Sequence, residues 1–442
     1  MAETIKKIIG IMDPNYFSFR GTLEALFAFL KPRIKYGPNT YEIVTRRITC
    51  RPYDALRANS TCSVILNRGA HWNPHHNSFF TIVSTKVHLI NDMNSFGAIN
   101  KNAGYGQMHE LGIYVPPTVA LPPQDYSELL ANERTNPDLI FSEHELFDLH
   151  EIGNDIGYPA YLKPQSGGGW VGVVRVNNYE DLLREYNKSG EKPMNLQKAV
   201  DYTEFVRSVG VGPQIMPMHY NAEAPFSHDR YMRSPTQAVD FNFLTPEQSK
   251  EVKQIAKLIN AFYGWDHNSC EALIAKDGTI FAIDFCNAYP DSSLVSLHFY
   301  FPDLIKAMAR WLMFCCVKSR KKYQDFTYNW KKYFDILDES KKKKLSYHER
   351  LDLYEKVADE HFDTAHFEEF CQESLGKEFD EKAFEFFASK EFDKIMEREL
   401  HYYFKVKREI PMKLAHYGGI HRFWLHCEQN RLSREPAGAA KS

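Results

Sequence analysis

The residues of this chain best suited to chemistry are a lysine beside a glycine-rich run and two acids flanking a tight turn. Lys163-Pro-Gln-Ser-Gly-Gly-Gly-Trp-Val-Gly172 follows the β-like Tyr158-Pro-Ala-Tyr-Leu162 and leads into a second β-like run at 173–176. Gly167, Gly168 and Gly169 would let the main chain come close to an anion, and Lys163 would add a point charge, so phosphate binding is the chemistry expected. A β-turn beside an ordinary surface lysine would use the same residues. The run is neither a Walker A sequence nor a G-x-G-x-x-G opening a helix. The second window, Glu271-Ala-Leu-Ile-Ala-Lys-Asp-Gly-Thr-Ile-Phe-Ala-Ile-Asp284-Phe-Cys-Asn287, reads as a hairpin turning at Lys276-Asp277-Gly278. Glu271 and Asp284, one on each strand, would repel across the ladder unless a cation lay between them. Hard oxygen ligands of this kind suit Mg²⁺, with the Asn287 amide as a neutral third donor. An edge hairpin with solvated acids is the plain alternative.

A third window, Leu196-Gln197-Lys198-Ala-Val200-Asp-Tyr-Thr-Glu204-Phe-Val-Arg207, joins a strand end to a turn and a new strand. Exposed backbone there would suit a purine edge, and the Glu204 carboxylate a pair of ribose hydroxyls. Two further clusters carry charge. Arg68-Gly-Ala-His71-Trp-Asn-Pro-His75 follows a strand, at the carboxyl end where open α/β sheets bind ligands, and would hold a substrate carboxylate or be a loop of solvated imidazoles. His71 and His75 have the i, i+4 spacing of helical metal ligands, but Asn73 and Pro74 point to a loop. His228-Asp229-Arg230-Tyr231 offers another substrate contact in His228 and a phosphate contact in Arg230. Arg230 and Arg207 would equally serve as surface ion-pair partners.

These windows need scaffolding. The β-branched run 5–13, a helical stretch 23–30, and β-like runs at 41–48 and 62–66 predict a small parallel α/β unit over 1–94. A helical pattern over 95–111 stops at Gly112. The segment 158–303 is strand-rich, with a helix opened by Thr245-Pro246-Glu247. After 318 charges become dense and glycine and proline nearly vanish. Phe384, Phe387, Ala388, Phe392, Ile395, Met396 and Tyr403 fall on one helical stripe, and Ser346-Tyr-His-Glu349 has the form of a capping box. The stripe is expected to pack against the catalytic body or a second copy of the chain, which would make a homo-oligomer, and 435–442 reads as a loose tail. The fold class expected is therefore α/β and α+β. A domain over 95–317, in lobes of about 95–197 and 198–317, follows the N-terminal unit, and a helical extension over 318–442 completes the chain.

Composition narrows the setting. The 442 residues are 43% hydrophobic and 25% charged, with 54 basic and 57 acidic side chains giving a net charge of −3. That balance gives no broad attraction to nucleic acid or an anionic membrane, and neither partner is expected. The Lys341-Lys-Lys-Lys344 run reads as a solvated linker. The longest apolar stretch, 304–317, is broken by Lys306 and Arg310, so no membrane span is expected. No secretory signal is read at the start, and the eight scattered cysteines read as thiols of a reducing compartment, so a cytoplasmic location is expected.

Taken in order, the three windows resemble the ATP-grasp superfamily, in which two α+β subdomains hold ATP. The pattern is similar to that of D-alanine–D-alanine ligases. Lys163 precedes Gly172 by nine residues, Gln197-Lys198 stands where that family has Glu-Lys, with Glu204 seven residues after the first, and Glu271 and Asp284 are thirteen apart, followed by Asn287-Ala-Tyr-Pro290. Lys101, eleven residues before Gly112, looks like the first ATP lysine of ligases that add glutamate to a ribosomal protein. The resemblance covers about residues 5–310. It implies a carboxylate–amine ligase that activates an amino acid or small peptide-like acid as an acylphosphate, releases ADP and phosphate, and uses Mg²⁺, as two ions. It gives Lys101, Lys163, Arg230 and the Gly167–Gly169 backbone to the phosphates, Gln197, Lys198, Val200 and Glu204 to the nucleoside, Glu271, Asp284 and Asn287 to the metal, and Arg207 to the acylphosphate. The chain departs from the pattern at Gln197, at Ser269 where an arginine is usual, and in Asp284-Phe-Cys-Asn287, one residue longer than Glu-x-Asn. Asp284 would then reach the metal through a local bulge, or Asn287 and a water would cover the second ion. An ATP-grasp kinase or carboxylase, a non-catalytic ATP-binding protein and a purely structural protein are the rival readings.

Overall fold

The computed structural model describes residues 3–14, 17–95, 101–131, 136–142, 145–167, 170–224, 226–231, 242–318 and 329–434. The chain divides into two compact units: unit 1 comprises Met1–Phe96, Arg207–Ser269 and Ala288–Ser442, and unit 2 comprises Gly97–Val206 and Cys270–Asn287. The helices after 318 fall in the same unit as the N-terminal sheet. The loose tail expected at 435–442 lies outside the described residues.

Unit 1 opens with β1 (Thr4–Met12), α1 (Phe17–Leu30), β2 (Arg33–Tyr36), β3 (Asn39–Arg47), β4 (Val64–Asn67), α2 (Pro74–Val83) and β5 (His88–Ile90). The sheet order is β2-β3-β1-β4-β5, parallel throughout except for antiparallel β2. Parallel strands read as near-continuous apolar runs because both faces are covered, and β4 is buried at all four positions. A core of Met12, Cys62, Ile65, Ala70, Phe80, Val83, Val87 and Leu89 lies against this sheet. The sequence missed β2, β5 and α2. Asn73 and Pro74, taken as loop signals, instead start α2: the Asn73 side chain accepts from the His76 N–H and Pro74 fills the first helical position.

Unit 2 contributes α3 (Lys101–Glu110), β6 (Thr118–Leu121), α4 (Leu149–Ile156), β7 (Ala160–Pro164), β8 (Val174–Val176), α5 (Tyr179–Asn187) and β9 (Met194–Lys198). Its antiparallel sheet runs β6-β9-β7-β8 and buries Leu121, Leu149, Ala160, Leu162, Val176, Leu182, Tyr186, Met194 and Leu196. A further sheet has the order β11-β10-β12-β13, from β10 (Tyr202–Val211), β11 (Gln214–His219), β12 (His267–Ala275) and β13 (Ile280–Asn287). The β12–β13 hairpin closes at the expected turn, with Gly278 at φ 88° and its N–H on the Ala275 carbonyl.

The rest of unit 1 is helical: α6 (Pro246–Tyr263), α7 (Phe301–Lys318), α8 (Trp330–Lys343), α9 (Tyr347–Phe362), α10 (Gly376–Phe387), α11 (Lys390–Tyr403) and α12 (Ile410–Arg434). The capping box expected at Ser346 and Glu349 forms, and Thr245, expected to open a helix, proves to form one with Gln248 as well. The aromatic stripe is not one helix. It breaks at Ala388, and Ser389 caps α11 through the Phe392 N–H. Phe387 and Phe392 are buried against His421 and Trp424 inside unit 1, so the stripe gives no argument for a second copy. An ionic cluster ties α7 to α10 and α12. Lys306, 3% exposed, pairs with Asp380 at 2.8 Å and with Glu428, Arg310 pairs with Asp380, and Arg431 pairs with Glu428 at 2.8 Å. All eight cysteines are free, and among the described residues no helix is long and apolar enough to cross a membrane.

Candidate active site

The period of two along β7 turns Ala160 and Leu162 into the core of unit 2 and Tyr161 and Lys163 to the other face. On the neighbouring β9, Gln197 stands opposite Tyr161 on one side and opposite Thr118 on the other. Its amide uses both: Nε2 donates to Thr118 Oγ1 at 2.7 Å, and Oε1 accepts from Lys163 Nζ, its diagonal neighbour, at 2.9 Å. Lys163 is no surface lysine. It is 3% exposed, and Nζ also donates to the Tyr105 hydroxyl at 2.9 Å and lies 3.3 Å from Asp284 Oδ1.

Helix α3 supplies the other side. Lys101 and Tyr105 are four residues apart and so share a face. Lys101 Nζ lies 3.3 Å from Asp284 Oδ1, and the Tyr105 hydroxyl donates to the same oxygen at 3.0 Å. Gly104 permits this approach: a Cβ there would stand 2.8 Å from Cys286 Sγ and 3.1 Å from Phe285 Cε2. Gly104→Val should push α3 off β13 and destabilise unit 2 by about 1–3 kcal/mol, read as a lower urea midpoint with an unchanged slope. A midpoint equal to wild type would mean that the helix does not need this closeness.

At Asp284 the backbone turns left-handed in mid-strand (φ 38°), a conformation asparagine and aspartate tolerate best among L residues. Burial taken alone would raise the Asp284 carboxyl. The Lys163 and Lys101 charges and the Tyr105 hydroxyl outweigh it and hold the group well below the usual carboxylate range. Burial lowers Lys163, opposed by Asp284 and, more weakly, by Glu271. Burial, then the Asp284 charge, keeps the Tyr105 phenol neutral by raising it well above its ordinary value, and the same two causes push the Cys286 thiol up to about 12. Cys286 is therefore no nucleophile.

Glu271 (8% exposed) lies on β12 and Asn287 ends β13, both in unit 2. Among the described residues no group of three or more His, Cys, Asp or Glu side chains is placed to hold a metal ion. An ion here would rest on Glu271, Asp284 and the Asn287 amide, with phosphate oxygens completing its shell. That all-oxygen set, with one carboxylate already stabilising two ammonium groups, fits Mg²⁺.

The other residues singled out from sequence fall as follows. Gly167 is exposed at φ 106°, with open space where a Cβ would be, while Gly168 and Gly169 lie outside the described residues. The N–H groups of Lys198 and Ala199 donate to the Pro117 and Pro159 carbonyls. Glu204 lies half-buried on β10. In unit 1, Arg207 (7% exposed) donates to Ser269 Oγ at 3.1 Å and lies over the Tyr220 and Tyr231 rings, and Arg230 donates to the Tyr220 hydroxyl at 3.2 Å. A guanidinium thus lies against Ser269, the position where the resemblance expects an arginine, but it comes from the adjacent strand. Arg68 holds unit 1 together: it is 1% exposed, stacked between Phe19 and Tyr289, and bound to Asp13 and the Pro290 carbonyl, which corrects the substrate role read for it. His71 and His75 are exposed, on a short turn and on α2, and His75 pairs with the Arg51 carbonyl. His228 is buried between Phe226 and Phe404, and its carbonyl pairs with His298. Tyr105 and Thr118 were missed. The i, i+4 relation of Lys101 and Tyr105 was the signal for the first, and nothing local marks the second.

The chain is similar to several solved structures. One is the VanG D-Ala:D-Ser ligase of Enterococcus faecalis (TM-score 0.45, 12% identity, 72% of this chain and 100% of that one). Another is a RimK-domain ATP-grasp protein of Sphaerobacter thermophilus (0.45, 14%, 69% and 99%). A third is the D-alanine–D-alanine ligase of Bacillus anthracis complexed with ATP (0.44, 14%, 77% and 99%). No protein-family model matches the chain. No curated protein matches it either. These structural similarities are distant.

Proposed function

We propose that the protein is an ATP-dependent ligase that joins a carboxylate, an amino acid or small peptide-like acid, to an amine. The observation that carries this reading is the convergence of Lys101, Lys163 and Tyr105 on Asp284. Two ammonium groups, one buried and one half-buried, beside two carboxylates are what a triphosphate with its divalent ion requires. In this reading a carboxylate oxygen attacks the γ-phosphorus, the bond to ADP breaks, and an acylphosphate forms. The amine nitrogen then attacks the acyl carbon, phosphate leaves, and the amine gives up its proton. Lys101 and Lys163 balance charge on the phosphates, Glu204 and the Val200 backbone seat the nucleoside, and Arg207 and Arg230 steady the transferred group. Mg²⁺ bound by Glu271, Asp284 and Asn287 would draw charge from the phosphate oxygens.

The test is hydroxylamine trapping. With ATP, Mg²⁺ and a panel of amino acids and short peptides, at least one acid should yield a hydroxamate together with stoichiometric ADP. ADP without hydroxamate for every acid would instead indicate transfer to a non-acyl acceptor, and no ADP at all would sink the ligase.

A further inference from the structure

We infer that Asp284 is the internal counter-ion that nucleotide phosphates must displace, so that metal-free nucleotide is held off and nucleotide and divalent cation bind as a coupled pair. This inference rests on the nucleotide reading above and adds how that site is controlled. Lys101 and Lys163 bring two positive charges, and Glu271 and Asp284 bring two negative ones, so the cluster is neutral as it stands. Both lysines and the Tyr105 hydroxyl meet at one atom, Asp284 Oδ1, within 3.3 Å. Lys163 is 3% exposed and Glu271 is 8% exposed, so water screens these charges poorly. Drawing the lysines onto phosphates strips Asp284 of its partners, and a half-buried carboxylate left facing incoming anions repels them. A divalent cation arriving with the phosphates replaces what Asp284 loses. Each ligand then raises the affinity for the other by the same factor.

Tyr105 is a positioning residue in this scheme. Its hydroxyl accepts from Lys163 and donates to Asp284, and Asp284 N–H donates back to it at 3.3 Å. Gln197 holds Lys163 from the other side without adding a charge, while Asp284 and, more weakly, Glu271 act on Lys163 as anions.

The experiment is equilibrium dialysis of labelled ADP against the full chain, in EDTA and in excess Mg²⁺. Wild type should bind ADP with Mg²⁺ and at least about 10-fold more weakly in EDTA. Asp284→Asn should bind ADP in EDTA at least about 10-fold more tightly than wild type does, and should lose most of the gain from Mg²⁺. If wild type binds with Mg²⁺ but Asp284→Asn binds no more tightly in EDTA, the counter-ion role is overturned and the nucleotide reading stands. If wild type binds ADP in neither condition, the nucleotide reading itself falls, and this inference with it. Should Asp284→Asn not fold, Tyr105→Phe keeps every charge and loosens only the hydroxyl bridge. It should tighten metal-free ADP by about 3-fold, and an unchanged affinity would overturn the proposal.

Discussion

Lys163→Met is expected to cut ATP-dependent ADP release by about 10²–10⁴-fold while leaving a folded protein. Methionine is close to lysine in length and fills the same space between β7 and α3, but it brings no charge to the phosphates. The site should survive structurally because Asp284 keeps Lys101 at 3.3 Å and the Tyr105 hydroxyl at 3.0 Å, and Gln197 keeps Thr118. The loss should fall on turnover more than on the concentration of ATP needed, since charge spreads over the transferring group as the reaction proceeds. ADP release under saturating ATP, alongside a thermal melt of the same preparation, checks both halves. Turnover near wild type would remove Lys163 from the chemistry.

Lys306→Met is expected to destabilise unit 1 by about 3 kcal/mol, with no direct effect on the active site. Lys306 lies on α7 at 3% exposure, and its loss leaves Asp380 and Glu428 facing each other with only Arg310 and Arg431 to answer them. Burial would raise both acids, but their cations, Lys306 among them, outweigh it and hold them low in the intact cluster, so removing the lysine leaves that burial opposed by fewer charges. Denaturant unfolding followed by tryptophan fluorescence reads the effect through Trp311 and Trp424, both buried in the same unit. A change below about 0.5 kcal/mol would mean that the cluster is solvated and that the helices after 318 are joined to α7 by apolar packing alone.

Local signals made much of this architecture legible. The helix starts at Thr245 and Ser346, the Asp-Gly turn of the hairpin and the parallel strands β1, β3 and β4 follow from residues within a turn or a strand of one another. Lys163 was legible from its glycine-rich run, Asp284 from its place on the hairpin opposite Glu271, and Lys101 through the family resemblance; the structure brings both lysines to one oxygen of Asp284. What escaped depends on distant partners. Arg68 reads as a substrate clamp until Asp13 and Pro290 are seen to hold it, and Tyr105 is an ordinary aromatic residue until β13 comes against α3. Asn73-Pro74 failed for a different reason: the residues that end a loop are those that begin a helix, and only the apolar face of α2, Phe80 and Val83 in the core, decides between them.

The three-part composition of unit 1 bears on how the chain is made. Strands β1 to β5 leave the ribosome early, yet α7, which packs on β1, β3 and β4, and α11, which packs on α1, are translated only after the whole of unit 2. During synthesis the nascent sheet therefore waits with an apolar face uncovered, while unit 2 completes its first stretch and its returning hairpin. A cell producing this protein must shelter that face until the final helices arrive, and a stalled or prematurely terminated message would leave a sticky fragment rather than a smaller stable protein.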